Sequence, residues 1–223
     1  MTTKTQIEIP RYRKAVSAVL RVLRLLLLVA LVVAVGACSA WYLAQALEGD
    51  RMQAELDAQW ENLSPPPHGQ VIFEPGDIIG RIIIPKLGLD AVMVEMANVD
   101  DKENLNKGPA HIMDTALPGE EGNCVIAGHR TTYSRPFFAL DSLTAGDDVI
   151  LIDVFGDRHG YEVTQILIVE PDDVWVMDPT PQASVTLIAC HPLFSASKRI
   201  VVKGDLATDC PGWQGDGREG DNL

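Results

Sequence analysis

From Leu25 to Leu47 the chain runs 23 residues without a charge, opening Leu25-Leu26-Leu27-Leu28-Val29-Ala30-Leu31-Val32-Val33. At about 1.5 Å per helical residue such a run crosses a hydrocarbon layer about 30 Å thick. Backbone polar groups in that layer must be satisfied within the segment, so residues 25–47 read as one transmembrane helix. Trp41 and Tyr42, near its far end, suit the membrane interface. Lys4, Arg11, Arg13, Lys14, Arg21 and Arg24 precede the run, whereas Glu48 and Asp50 follow it before Arg51. The positive-inside bias keeps residues 1–24, a basic segment, in the cytoplasm and puts everything after Glu48 outside the cell. A cleaved signal peptide is disfavoured by the long charged segment and the overlong apolar core. Lipidation at Cys38, in Val35-Gly36-Ala37-Cys38, is disfavoured because apolar sequence continues well past it. Both rivals leave the same domain outside.

Charge divides the chain in the same place. Six of the 18 Lys+Arg and one of the 31 Asp+Glu lie before residue 48, so residues 48–223 carry 12 basic and 30 acidic groups, a formal charge of −18. A surface of that sign repels nucleic acid, which is excluded as a partner. The excess acid reads as solvation. Asp100, Asp101, Glu103, Glu120 and Glu121 have the oxygens for calcium but not the spacing of a dedicated loop. Cys124, His129, Cys190 and His191 match no common zinc spacing. No metal or cofactor is expected. Of the four cysteines, Cys38 lies in the span, Cys210 in the polar tail, and Cys124 and Cys190 in apolar runs. A Cys124–Cys190 bridge stays open, but the arrangement fits a reactive thiol better than a disulfide scaffold.

After the span, residues 48–63 read as a charged helical stalk, and Ser64-Pro65-Pro66-Pro67-His68-Gly69 as a stiff spacer; stalk and linker together take up residues 48–75. Short runs rich in Val and Ile then follow: 79–84, 91–96, 123–127, 148–155, 160–169, 183–189 and 199–203. Asn104-Leu105-Asn106 and Phe137-Phe138-Ala139-Leu140 are the expected short helices. So many short strands without alternating helices predict an all-β domain over residues 76–206, a closed barrel of about eight strands with short helices. Residues 207–223, glycine-rich and polar, are expected to be disordered.

Cys190 ends the run Val185-Thr186-Leu187-Ile188-Ala189, and His129 follows Ala127-Gly128, 61 residues earlier. Arg199 opens the next apolar run, Ile200-Val201-Val202. A thiolate, an imidazole and a guanidinium suffice for acyl transfer: nucleophile, proton carrier and oxyanion holder. Taken singly, each has a structural reading as a buried small residue, a core histidine or a surface charge. His111 reads as structural, His191 as pointing away from Cys190's face, and His68 and His159 as surface residues.

Together these segments resemble the sortases, membrane-anchored cysteine transpeptidases of Gram-positive bacteria. The matching text includes Ile82-Ile83-Ile84-Pro85-Lys86-Leu87, then Asn104-Leu105-Asn106-Lys107-Gly108-Pro109-Ala110-His111, then Pro118-Gly119-Glu120-Glu121-Gly122-Asn123. It continues through Cys124-Val125-Ile126-Ala127-Gly128-His129-Arg130, Thr186-Leu187 before Cys190, and Arg199-Ile200-Val201-Val202. The resemblance implies a sortase-type barrel in which Cys190 is the nucleophile, His129 the acid and base, and Arg199 the oxyanion group. It also implies partners: secreted proteins with a C-terminal sorting signal cleaved between Thr and Gly, and an amine of cell wall or pilin as acceptor. Gly128-His129-Arg130-Thr131-Thr132-Tyr133 resembles class E of actinobacteria, which favours Leu-Ala-x-Thr-Gly over Leu-Pro-x-Thr-Gly. Tyr133 then becomes a substrate-binding candidate, since its hydroxyl can accept from the alanine N–H that proline lacks. Ala189 departs from the family, which usually has threonine there, and implies altered contact with substrate or oxyanion. The Ser-x-Gly-Cys element of L,D-transpeptidases is absent. A non-catalytic surface protein that binds sorting signals is the alternative, supported by Ala189 alone.

Overall fold

The computed structural model describes residues 11–66 and 71–207; His68, Cys210 and the tail from Thr208 lie outside them. Helix α1 (Arg11–Glu61) contains the whole uncharged run and is long and apolar enough to cross a membrane. The chain divides into two compact units, one ending at Ala44 and one beginning at Gln45. In the first, the helix carries exposed Leu25 through Val29 and Leu31 through Val33, the surface expected of a segment whose solvent is lipid.

The second unit opens with the end of α1. The segment expected as a stalk is helical as far as Glu61 and packs on the barrel that follows. Gly49, Gln53, Leu56 and Trp60 recur at helical spacing on one face. Leu56 is only 6% exposed, and with Trp60 it covers Val92, Val94, Ala110 and Val125.

Eight strands follow: β1 (Ile78–Ile84), β2 (Leu89–Met96), β3 (Ala110–Ile112), β4 (Asn123–Ala127), β5 (Asp148–Asp153), β6 (Arg158–Val169), β7 (Ser184–His191) and β8 (Lys198–Leu206). They close into a barrel in the order β1-β2-β3-β4-β7-β8-β6-β5, with β5 returning to β1. Pairing is antiparallel except for β2–β3 and β4–β7. Closure removes the free edges that an open sheet would expose. Inward side chains such as Ile82, Ile84, Ile126, Leu187 and Val202 form one apolar core. Strand β4 does not alternate, because its outer residues Val125 and Ala127 are covered by α1 and by Leu105 of helix α2 (Lys102–Leu105).

Seven of these strands coincide with the expected runs, within a few residues at their ends. Strand β3 was not expected; three residues carry too little periodicity to register. The helix expected at Phe137–Leu140 is instead a turn leading into a 3-10 helix, Leu140–Ser142. Phe137 is wholly buried there and plugs the barrel core.

Candidate active site

Three adjacent strands bring the site together. β4 and β7 run parallel with Ala127 opposite Ile188, and Gly128 N–H donates to Ile188 O at 3.0 Å, extending the ladder one residue past β4. His129 therefore leaves β4 at the level where β7 reaches Cys190. β7 and β8 are antiparallel, with Cys190 directly opposite Arg199. His129, Cys190 and Arg199, scattered over 71 positions of sequence, thus end neighbouring strands in one row. A Cβ on Gly128 would lie 2.5 Å from the Phe137 ring, so glycine is what lets the chain turn out here over the plugged core.

His129 is half-buried and held twice. Its Nε2 donates to Asn106 Oδ1 at 2.9 Å, and its ring stacks on Tyr133 with centroids 5.2 Å apart and planes 24° apart. Tyr133 has a left-handed backbone, φ 54°, in the tight loop that returns its ring over the imidazole. Burial pushes the His129 pKa below its ordinary value, which favours the neutral ring. Among the described residues Nδ1 has no hydrogen-bond partner.

Cys190 is a free, half-buried thiol, and Cys124 is free and buried, so the two do not form a disulfide. Cys124 points into the barrel core. Arg199 anchors one arm of its fork on its own turn, Nη1 donating to the carbonyls of Ala196 and Lys198 at 3.0 Å each. Among the described residues Nε and Nη2 have no hydrogen-bond partner.

Ala189 does not join this face. It is 3% exposed and packs with Leu187 and Ile200 inside the barrel, because adjacent strand residues point to opposite sides. His191 is not spare either: Arg130 Nη1 donates to its Nδ1 at 3.2 Å. His159 is not a free surface residue but pairs with Asp153 at 3.0 Å, its side chain 20% exposed.

Two contributors escaped the sequence reading. Asn106 closes α2 and meets His129, a contact across 23 positions that no local pattern signals. Arg130 is 2% exposed; it pairs with Asp141 at 2.8 Å and donates to Phe138 O, stapling the loop after His129. Its position beside His129 within Gly128-His129-Arg130 was the available signal. Among the described residues, no group of three or more His, Cys, Asp or Glu is placed to hold a metal ion.

Comparison with known proteins bears on the family and the fold. A sortase-domain family model matches residues 82–207. Sortase SrtE1 of Streptomyces coelicolor is 29% identical over 179 residues, covering 74% of this chain and 49% of that protein. Sortase A of Bacillus anthracis is 33% identical over 130 residues, covering 58% of this chain and 60% of its own. The matches thus span about half to three-fifths of the length of these curated relatives. The crystal structure of sortase E1 from Streptomyces coelicolor with a tripeptide in its active site is 27% identical, with a TM-score of 0.54 over 61% of this chain and 91% of that one. A closed eight-stranded barrel of this order, matched by the family model over more than half its length, places the chain in the sortase family.

Proposed function

We propose that the chain is a membrane-anchored cysteine transpeptidase acting on C-terminal sorting signals. The observation that carries the reading is the register placing His129, Cys190 and Arg199 on the ends of β4, β7 and β8. Neutral His129 takes the proton of the Cys190 thiol, and the thiolate attacks the carbonyl of the threonine before the scissile bond. Arg199 donates to the oxyanion that forms. Collapse breaks the Thr–Gly C–N bond as His129 returns the proton to the departing amine, leaving a thioester on Cys190. An amine of cell wall or pilin then attacks the thioester, its proton passing to His129, and Cys190 leaves. The tripeptide bound in the active site of the related sortase E1 supports a peptide ligand here.

The basic residues before the span and the acidic ones after it support an extracellular catalytic domain with a cytoplasmic N-terminus. The stacking of Tyr133 on His129 supports a role in reading the residue before x-Thr-Gly, with alanine favoured over proline.

Intact mass spectrometry of the full chain in detergent micelles with Leu-Ala-x-Thr-Gly and Leu-Pro-x-Thr-Gly peptides tests both points. A thioacyl adduct absent from Cys190→Ala is the expected result, with more adduct from the alanine peptide. No adduct from folded, reduced protein overturns the transpeptidase in favour of a sorting-signal binding protein.

A further inference from the structure

Both segments that carry the groups holding His129 lie against α1. Gly49, buried in mid-helix, lies against the Tyr133–Ser134 peptide so closely that a Cβ there would be 2.1 Å from Ser134 N and 2.5 Å from Tyr133 C. One turn later, Gln53 reaches the other side of the site. Its Nε2 donates to Lys107 O at 2.8 Å and to Val92 O at 3.2 Å, and its Oε1 accepts from Val92 N–H at 3.2 Å. The carboxamide thereby takes both backbone groups of Val92, which lies before the residues of β2 that pair with β3. A Cβ on Gly108 would lie 2.0 Å from Gln53 Nε2, so the segment Asn106–Lys107–Gly108 is drawn tight against the helix. Asn106 donates nothing to the helix itself; it is the residue just before the clamped Lys107 carbonyl, and its side chain meets His129.

A glycine in the middle of a helix is less favourable than an alanine. Gly36 of the same helix has nothing within 4 Å of a Cβ, whereas Gly49 has backbone there. The loss of helix propensity at residue 49 is therefore matched by a contact only glycine permits.

We propose that Gly49 and Gln53 are positioning residues of the active site, setting Tyr133 and Asn106 respectively and through them the orientation of the His129 imidazole. The proposal rests on His129 being the acid–base group of the proposed function. It makes the end of α1 a working part of the catalytic unit and not a spacer.

The test uses the full chain in detergent micelles, carrying Gly49→Ala, Gln53→Ala or, as control, Gly36→Ala. The His129 titration is followed by NMR on histidine-labelled protein and assigned with His129→Gln, beside the melting temperature and the rate of Cys190 acylation by the sorting peptide. Gly49→Ala and Gln53→Ala are expected to move the His129 midpoint upward by half a pH unit or more, as the ring loses its buried setting, and to slow acylation at least tenfold. Gly36→Ala is expected to match wild type in both. A midpoint unchanged in both variants overturns the proposal, including the case in which only the melting temperature falls. If Gly49→Ala fails to fold, Gln53→Ala, which adds no volume, decides alone. A wild-type chain that is never acylated sinks the transpeptidase reading, while the titration still decides whether the helix positions His129.

Discussion

Glu95 and His111 stand opposite each other on the parallel strands β2 and β3, with side chains 3% and 2% exposed. His111 Nδ1 donates to both carboxylate oxygens at 3.0 Å, and Nε2 donates to Ala116 O at 3.0 Å. With both ring nitrogens donating, the ring is an imidazolium. Burial alone would depress its pKa, but the Cys124 sulfur and the Glu95 carboxylate beside it prevail and raise it to about 10. Because the folded-state value lies above the unfolded value of about 6.5, the stabilisation is fully present below pH 6.5 and is lost as pH rises towards 10. At about 1.4 kcal/mol per pH unit the whole interval is worth at most about 5 kcal/mol, the same order as the roughly 3–5 kcal/mol lost when one partner of a buried pair is removed. Glu95→Gln keeps the shape and deletes the charge. Chemical denaturation of the full chain in detergent, followed by tryptophan fluorescence from pH 6 to pH 10, should show wild-type stability falling steadily. Glu95→Gln should start about 3–5 kcal/mol lower at pH 6 and change little. His111→Gln should likewise flatten the profile. A flat wild-type curve, or a Glu95→Gln loss below about 1 kcal/mol at pH 6, would refute a buried ion pair as the tie between β2 and β3.

Two further outcomes follow from placement. Ala189→Thr puts a hydroxyl among Leu187, Ile200 and their neighbours in the barrel core, so it should lower stability by about 1–3 kcal/mol and leave Cys190 acylation within about threefold of wild type; a tenfold gain in acylation would mean the side chain reaches substrate after all. Asn123, 2% exposed, donates to the carbonyls of Val176 and Asp178 at 3.1 Å each and accepts from Thr186 Oγ1 at 2.7 Å, tying the β6–β7 connection to the barrel. Asn123→Ala should cost about 1–3 kcal/mol and open residues 170–183 to limited proteolysis; unchanged cleavage there would show the loop is held by other contacts.

Much of the architecture was legible because it is written in local periodicity. The uncharged run has the length and composition of a spanning helix, and Val- and Ile-rich runs such as Ile79–Ile84 announce strands. His129, Cys190 and Arg199 each sit at the boundary of such a run, but it is the resemblance to the sortases that singles them out from their structural readings. Where two faces of a strand are both covered, as in β4, alternation vanishes and the strand is legible only from its Val and Ile content.

What escaped is non-local. Parity decided Ala189: the residue adjoining Cys190 points to the other side of β7, and only the barrel's closure makes that side a dry interior. The stalk acquired a face because Leu56 and Trp60 found β2 and β4, and no residue between 48 and 63 encodes that partner. Asn106 and Tyr133 meet His129 through turns whose geometry depends on what packs beneath them, including Phe137 in the core and Gly49 behind the loop. Which segments are apolar, how long they are and which reactive groups end them follow from composition and spacing alone. The tertiary structure decided which groups face one another, because that depends on strand order, register and side, which only chain closure sets.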